Sequence, residues 1–217
     1  VVDPEVMTDL VDHRDPDLPG QVDLVAGDLA ERAAEDRDPI GHHRAVADRA
    51  APGEVDALVE AEQGAGATVE LEVVRHPGAA VVVPMKDERT VILVRQYRHA
   101  AGGYIYEIPA GKLHPGEDPM DCAARELEEE IGYRAGRLEP VVSFFSAPGF
   151  TDEVLHVYKG TDLTRGTQCL GHDEVLEVLE VPFEKTIAMV RDGTIRDAKT
   201  IIGLQTVYLQ SCSAQKI

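Results

Sequence analysis

The stretch GKLHPGEDPMDCAARELEEEIGY, residues 111–133, decides how the rest of the chain is read. It predicts a helix with both ends marked. Asp118 suits the N-cap, because its carboxylate accepts from N–H groups that the first turn leaves free. Pro119 follows at the first helical position, where its missing N–H costs nothing. Asp121 adds negative charge to the first turn, where the helix dipole favours it. Gly132 fits the left-handed residue just past the last turn. Between these ends Ala123, Leu127 and Ile131 recur at four-residue steps and make a buried stripe. Cys122, beside that stripe, is expected to be packing.

The same helix carries Glu126, Glu129 and Glu130. They fall within an arc of about 100°. Like charges at that spacing repel and destabilise a helix. A solvated face is the ordinary meaning of one such pair. Three carboxylates beside a glycine-bounded loop point instead to a hard divalent cation. Mg2+ or Mn2+ takes oxygen ligands and relieves the repulsion.

Outward from this helix the chain reads as strands and helices without a regular βαβ alternation. Residues 68–74 (TVELEVV) alternate as a strand, and 79–85 form a continuous apolar run fit for a buried one. Further strands are expected at 90–97, 104–109, 137–146, 154–160 and 175–181, and helices at 183–191 and 199–210. The pattern predicts an α+β fold with a mixed sheet.

The net charge is −19, which argues against nonspecific binding to nucleic acid or an anionic membrane. No apolar run approaches the roughly 20 residues of a membrane span. Val1 to Asp12 is acidic and lacks a signal-like pattern, and three scattered cysteines show no disulfide or zinc spacing, so a reducing cytoplasm is expected. The eight histidines match no zinc pattern and are read as without a role. Residues 1–65 hold 17 acidic and 5 basic side chains, with no aromatic and no lysine. They are expected to be an acidic extension, partly disordered or atypical, with two thin candidate helices at 24–36 and 53–62. The folded domain is expected over 66–217.

Residues 111–133 resemble the Nudix box, G-x5-E-x7-R-E-U-x-E-E-x-G-U, with U a bulky apolar residue. Gly111, Glu117, Arg125, Glu126, Leu127, Glu129, Glu130 and Gly132 match, and Tyr133 stands where an aliphatic residue is more usual. The resemblance implies a Nudix-type α/β/α sandwich and metal-dependent hydrolysis of a nucleoside diphosphate linked to another group. It implies Glu126 and Glu130 as principal metal ligands, Glu129 as a member of the metal cluster, and Glu117 as its support. Arg125 would orient these carboxylates. Gly111 would let the backbone pass close to the metal, and the Ala110 carbonyl is a further candidate ligand.

The flanks resemble the ADP-ribose pyrophosphatase subfamily. Pro148 lies 15 residues beyond Tyr133, within SFFSAPGFTDE, residues 143–153. Pro148 alone reads more simply as part of a turn after a strand. With the acidic pair after it, the segment resembles that subfamily's catalytic loop, and Glu153 is the candidate general base, with Asp152 as runner-up. Upstream, VRQYRHAAGGYIYEIPAGKL, residues 94–113, resembles the same group, which implies Arg98 at a phosphate or the terminal ribose and Glu107 lining the pocket; a surface ion pair is the alternative for each. Lys112 reaches a phosphate or lies exposed.

The resemblance implies cleavage of ADP-ribose to AMP and ribose 5-phosphate, and a homodimer. ADP-glucose, GDP-mannose, or a non-catalytic nucleotide-sensing module are the alternatives. Subfamily members carry N-terminal strands that serve dimerisation and adenosine binding. Nothing in residues 1–67 reads as such strands.

Overall fold

In a computed structural model of the chain, the structure describes residues 55–63, 67–171 and 174–214. The candidate helix at 24–36 and most of the acidic extension lie outside these residues. All described residues belong to one compact unit.

The β1 strand (Val55–Gln63) pairs antiparallel with β2 (Ala67–Val74). This overturns the helix expected at 53–62 and the expectation that no strand precedes residue 67. From Val59 the segment alternates apolar and polar residues, the period of a strand. A register shift between Asp56 and Val59 hides that period in the preceding residues.

The centre of the fold is β3 (Ala79–Pro84), which pairs antiparallel with β6 (Ala110–Lys112) and parallel with β8 (Val154–Arg165). β7 (Tyr133–Phe145) completes this mixed four-stranded sheet in the order β6-β3-β8-β7. A second, antiparallel sheet has the order β5-β4-β9, from Gly103–Glu107, Thr90–Arg98 and Leu176–Pro182. The described residues hold three α-helices: α1 (Pro119–Ile131), between β6 and β7, and α2 (Phe183–Arg191) and α3 (Ala198–Ala214), after β9.

The apolar run at 79–84 is buried on both faces, and its alternation divides the core. Ala79, Val81 and Val83 join Ile195, Leu204 and Val207, where α3 packs. Ala80 and Val82 join Cys122, Ala123, Leu127 and Ile131 of α1. β4 divides likewise, with Val91 and Leu93 on one side and Ile92 and Val94 on the other. Helices on both faces of a mixed sheet make the α/β/α sandwich expected from the sequence.

The strand expected at 104–109 ends at Glu107, and a separate short strand, Ala110–Lys112, follows it in the other sheet. Pro109 cannot donate to a ladder, and the chain crosses there from β5, beside β4, to β6, beside β3. Its carbonyl accepts from Val82 N at 2.9 Å. β7 starts four residues before its expected start and carries a register shift between Pro140 and Val142, again at a residue without an N–H.

Candidate active site

The site begins with the ends of α1. The Asp118 carboxylate accepts from Met120 N at 2.8 Å. Gly132, at φ 69°, donates to Glu128 O at 2.9 Å. With Cys122, Ala123, Leu127 and Ile131 buried against the sheet, the helix is rotated so that Glu126 and Glu130 meet β6. Ala110 N donates to Glu130 Oε2 at 3.2 Å. A Cβ built on Gly111 would lie 1.9 Å from the Glu126 carboxyl carbon. Glu126 therefore rests directly on the backbone of β6, and only glycine leaves it room.

Arg125 ties the outer carboxylates together. Its Nε and Nη2 donate to the two Glu117 oxygens at 2.9 and 3.0 Å. Its Nη1 donates to Glu126 Oε1 at 2.5 Å and to Glu129 Oε2 at 3.0 Å. The bond from Arg125 holds the Glu117 carboxyl down at about 2. Burial raises Glu126 above the usual carboxylate range, and Arg125 offsets only part of that. Glu130 has no such relief. Burial, then the charge of Glu126, pushes its carboxyl up to about 8.

No three carboxylate, imidazole or thiol groups among the described residues converge into a ready metal cage. The donor chemistry nevertheless fits a hard cation. Glu126 and Glu130 are both shielded from water, they repel each other, and Glu130 has no arginine or lysine partner among the described residues. A divalent ion is the group that such a pair lacks.

Glu126 and Glu130 form part of the lining of a cavity of about 490 Å³, together with Ala110, Gly111 and Lys112. Glu153 and Arg98 line it as well. The loop that carries Glu153 is latched to the end of β2. Val74 N donates to Phe150 O at 2.8 Å, and Thr151 Oγ1 donates to Val74 O at 2.9 Å. Asp152 is held by Arg75 at 3.0 Å and by His76 N at 2.8 Å. Glu153 keeps its place on the cavity, with His76 Nδ1 3.2 Å from its Oε1.

Six expected site residues thus share one cavity: Arg98, Ala110, Lys112, Glu126, Glu130 and Glu153. Glu117, Arg125 and Glu129 do not line it and connect to it through the bond from Arg125 to Glu126. Glu107 lies buried below Arg98, whose Nε and Nη2 bond its oxygens at 2.6 and 2.9 Å. Pro148 is exposed in a turn closed by Phe150 N on Ala147 O at 3.1 Å, and it does not line the cavity. Sequence reading missed His76, Asp197 and Lys199, which do line it. Asp197 accepts from Thr200 N at 3.0 Å, so the D-A-K-T stretch at 197–200 carried a readable capping signal. His76 had no sequence signal beyond its place in a turn.

The NUDIX domain profile matches residues 74–202. An ADP-ribose pyrophosphatase of Bacillus subtilis is 40% identical over 166 residues, 75% of this chain and 90% of that protein. A methanol dehydrogenase activator of Bacillus methanolicus is 40% identical over 153 residues, covering 70% and 83%. A GDP-mannose pyrophosphatase of Cronobacter sakazakii is 37% identical over 156 residues, covering 64% and 81%. A solved structure of an ADP compounds hydrolase superposes with a TM-score of 0.67 at 22% identity, over 80% of this chain and 94% of that one, a likeness of fold.

Proposed function

Because the chain belongs to the NUDIX domain family, we propose that it is a metal-dependent pyrophosphohydrolase that cleaves ADP-ribose to AMP and ribose 5-phosphate, or cleaves a related nucleoside diphosphate sugar. The observation that carries this reading is the shielded pair Glu126 and Glu130, laid on the backbone of Ala110 and Gly111 in a cavity that Glu153 also lines. Similarity to ADP-ribose and GDP-mannose pyrophosphatases over most of their length supports the substrate class.

In this reading Glu126 and Glu130 hold the cation, with Glu129, Glu117 and the Ala110 carbonyl contributing to its site. Mg2+ or Mn2+ suits the all-oxygen donors. When bound, the cation supplies positive charge against the pyrophosphate and acidifies water. Arg125 is a positioning residue, since it fixes three of the carboxylates. Arg98 and Lys112 bind the substrate, and Pro148 shapes the turn that presents the loop. Glu153 takes the proton of the attacking water as its oxygen bonds to one phosphorus. The bond from that phosphorus to the bridging oxygen breaks, the bridging oxygen keeps the electron pair, and two monophosphates leave. The catalytic unit is residues 66–217, to which the 1–65 segment lends β1. It acts as a cytoplasmic homodimer that engages neither nucleic acid nor membrane; no helix among the described residues is long and apolar enough to cross a membrane.

Product analysis with Mg2+ on ADP-ribose, ADP-glucose, GDP-mannose and diadenosine polyphosphates tests the reading. AMP and ribose 5-phosphate are the expected products from ADP-ribose. Glu153→Gln is expected to lower kcat by about 10²- to 10⁴-fold, the usual contribution of a general base, with a smaller change in KM. An unchanged rate would place the base elsewhere.

A further inference from the structure

We propose that Lys199, held between Glu107 and Asp197, recognises the hydroxyls of the sugar on the non-nucleoside side of the substrate; this rests on the hydrolase reading above. Glu107 is 2% exposed and accepts from both Arg98 and Lys199. Lys199 Nζ lies 3.0 Å from Asp197 Oδ1. An ammonium has three donors. These two carboxylates engage two of them, and Lys199 lines the cavity with the third to offer.

Lys199 is not needed to fasten α3. Asp197 Oδ2 accepts from Thr200 N and Oγ1, at 3.0 and 2.6 Å, and Thr200 Oγ1 accepts from Ile108 N at 3.0 Å. Those bonds already tie the helix to the crossover between β5 and β6. The chemistry of this wall also differs from that of the Glu126 and Glu130 wall. Arg98 and Lys199 balance Glu107 and Asp197, so the group it suits is neutral and takes both donors and acceptors. Among the described residues no Phe or Tyr side chain lines the cavity, and its one ring, the His76 imidazole, stands against Glu153. A polyol meets these conditions, and polar groups aimed at hydroxyls are a strong source of specificity.

The test uses the full chain with Mg2+, titrated with a methylene-bridged ADP-ribose analogue and, separately, with ADP, which lacks the second sugar. Lys199→Met is expected to weaken the analogue on the order of 10- to 100-fold, the value of a charge-assisted hydrogen bond, and to leave ADP unchanged. Lys199→Arg is expected to fall between, and KM for ADP-ribose to rise more than kcat falls. Equal weakening of both probes would make Lys199 a phosphate contact and overturn the proposal. So would unchanged binding of both with a lowered unfolding midpoint, the signature of a structural tie. Hydrolysis by the wild-type chain, assayed in parallel, judges the hydrolase reading separately: analogue binding without turnover sinks that reading and still decides Lys199. A wild-type chain that binds neither probe overturns both.

Discussion

Gly111 has no room for a side chain, because the Glu126 carboxylate occupies the space of its Cβ. The obstacle is the free end of a side chain rather than backbone. Gly111→Ala is therefore expected to leave the unfolding midpoint close to that of the wild type and to displace Glu126. Divalent-cation affinity should fall about 10- to 100-fold, as when a ligand's support is lost, and calorimetric titration measures it. Glu130 gives a prediction about stability. Its folded carboxyl titrates near 8, against 4.5 for an ordinary one. Below pH 4.5 both states are protonated. As pH rises through the window from 4.5 to about 8, the unfolded chain ionises first, and the metal-free protein loses stability. Glu130→Gln should abolish that loss in denaturant titrations at pH 5 and pH 8, while lowering turnover by orders of magnitude. The spacing of Glu126, Glu129 and Glu130 was legible because a helix has a fixed period. That Glu130, of the three, has no cationic partner among the described residues was not, since Arg125 chose its partners through rotamers and contacts.

Helix α1 was readable to the residue, because caps are local chemistry: Asp118 and Gly132 act within one turn of the positions they mark. Removing the cap by Asp118→Ala should cost about 1 kcal/mol of stability, read from urea unfolding without metal. Elements whose limits depend on neighbours were read less well. The 104–109 stretch looked like one strand running through Pro109, yet β5 ends at Glu107 and the chain crosses at Pro109 to the other sheet, where β6 starts at Ala110. That crossover sets Glu107 beside Arg98 in one sheet and Ala110 and Gly111 beside Glu126 and Glu130 in the next. The segment at 53–62 looked helical from its alanines and acids, whereas pairing with β2 makes Val55–Gln63 a strand. Tertiary pairing overrode a weak propensity there.

At the scale of the molecule, two helical layers enclose a mixed sheet, and the cavity opens where β6, α1, the 146–153 loop and the start of α3 meet. A chain starting at residue 55 is expected to keep full turnover, since it retains β1 and the whole cavity. A chain starting at residue 67 leaves β2 without its partner, and an unpaired strand edge invites association. Light scattering at matched concentration should show it as a larger species than the 55-start chain. The sequence by itself determined the box helix, its acidic face, the buried central strand and the family resemblance, because caps, periodicity and motif spacing are properties of consecutive residues. Only the tertiary structure decided that Glu107 meets Lys199 across 92 positions, that His76 stands against Glu153, and that Asp152 is tied to Arg75. Those contacts depend on how strands far apart in the chain are ordered in space, and no local pattern of side chains encodes that order.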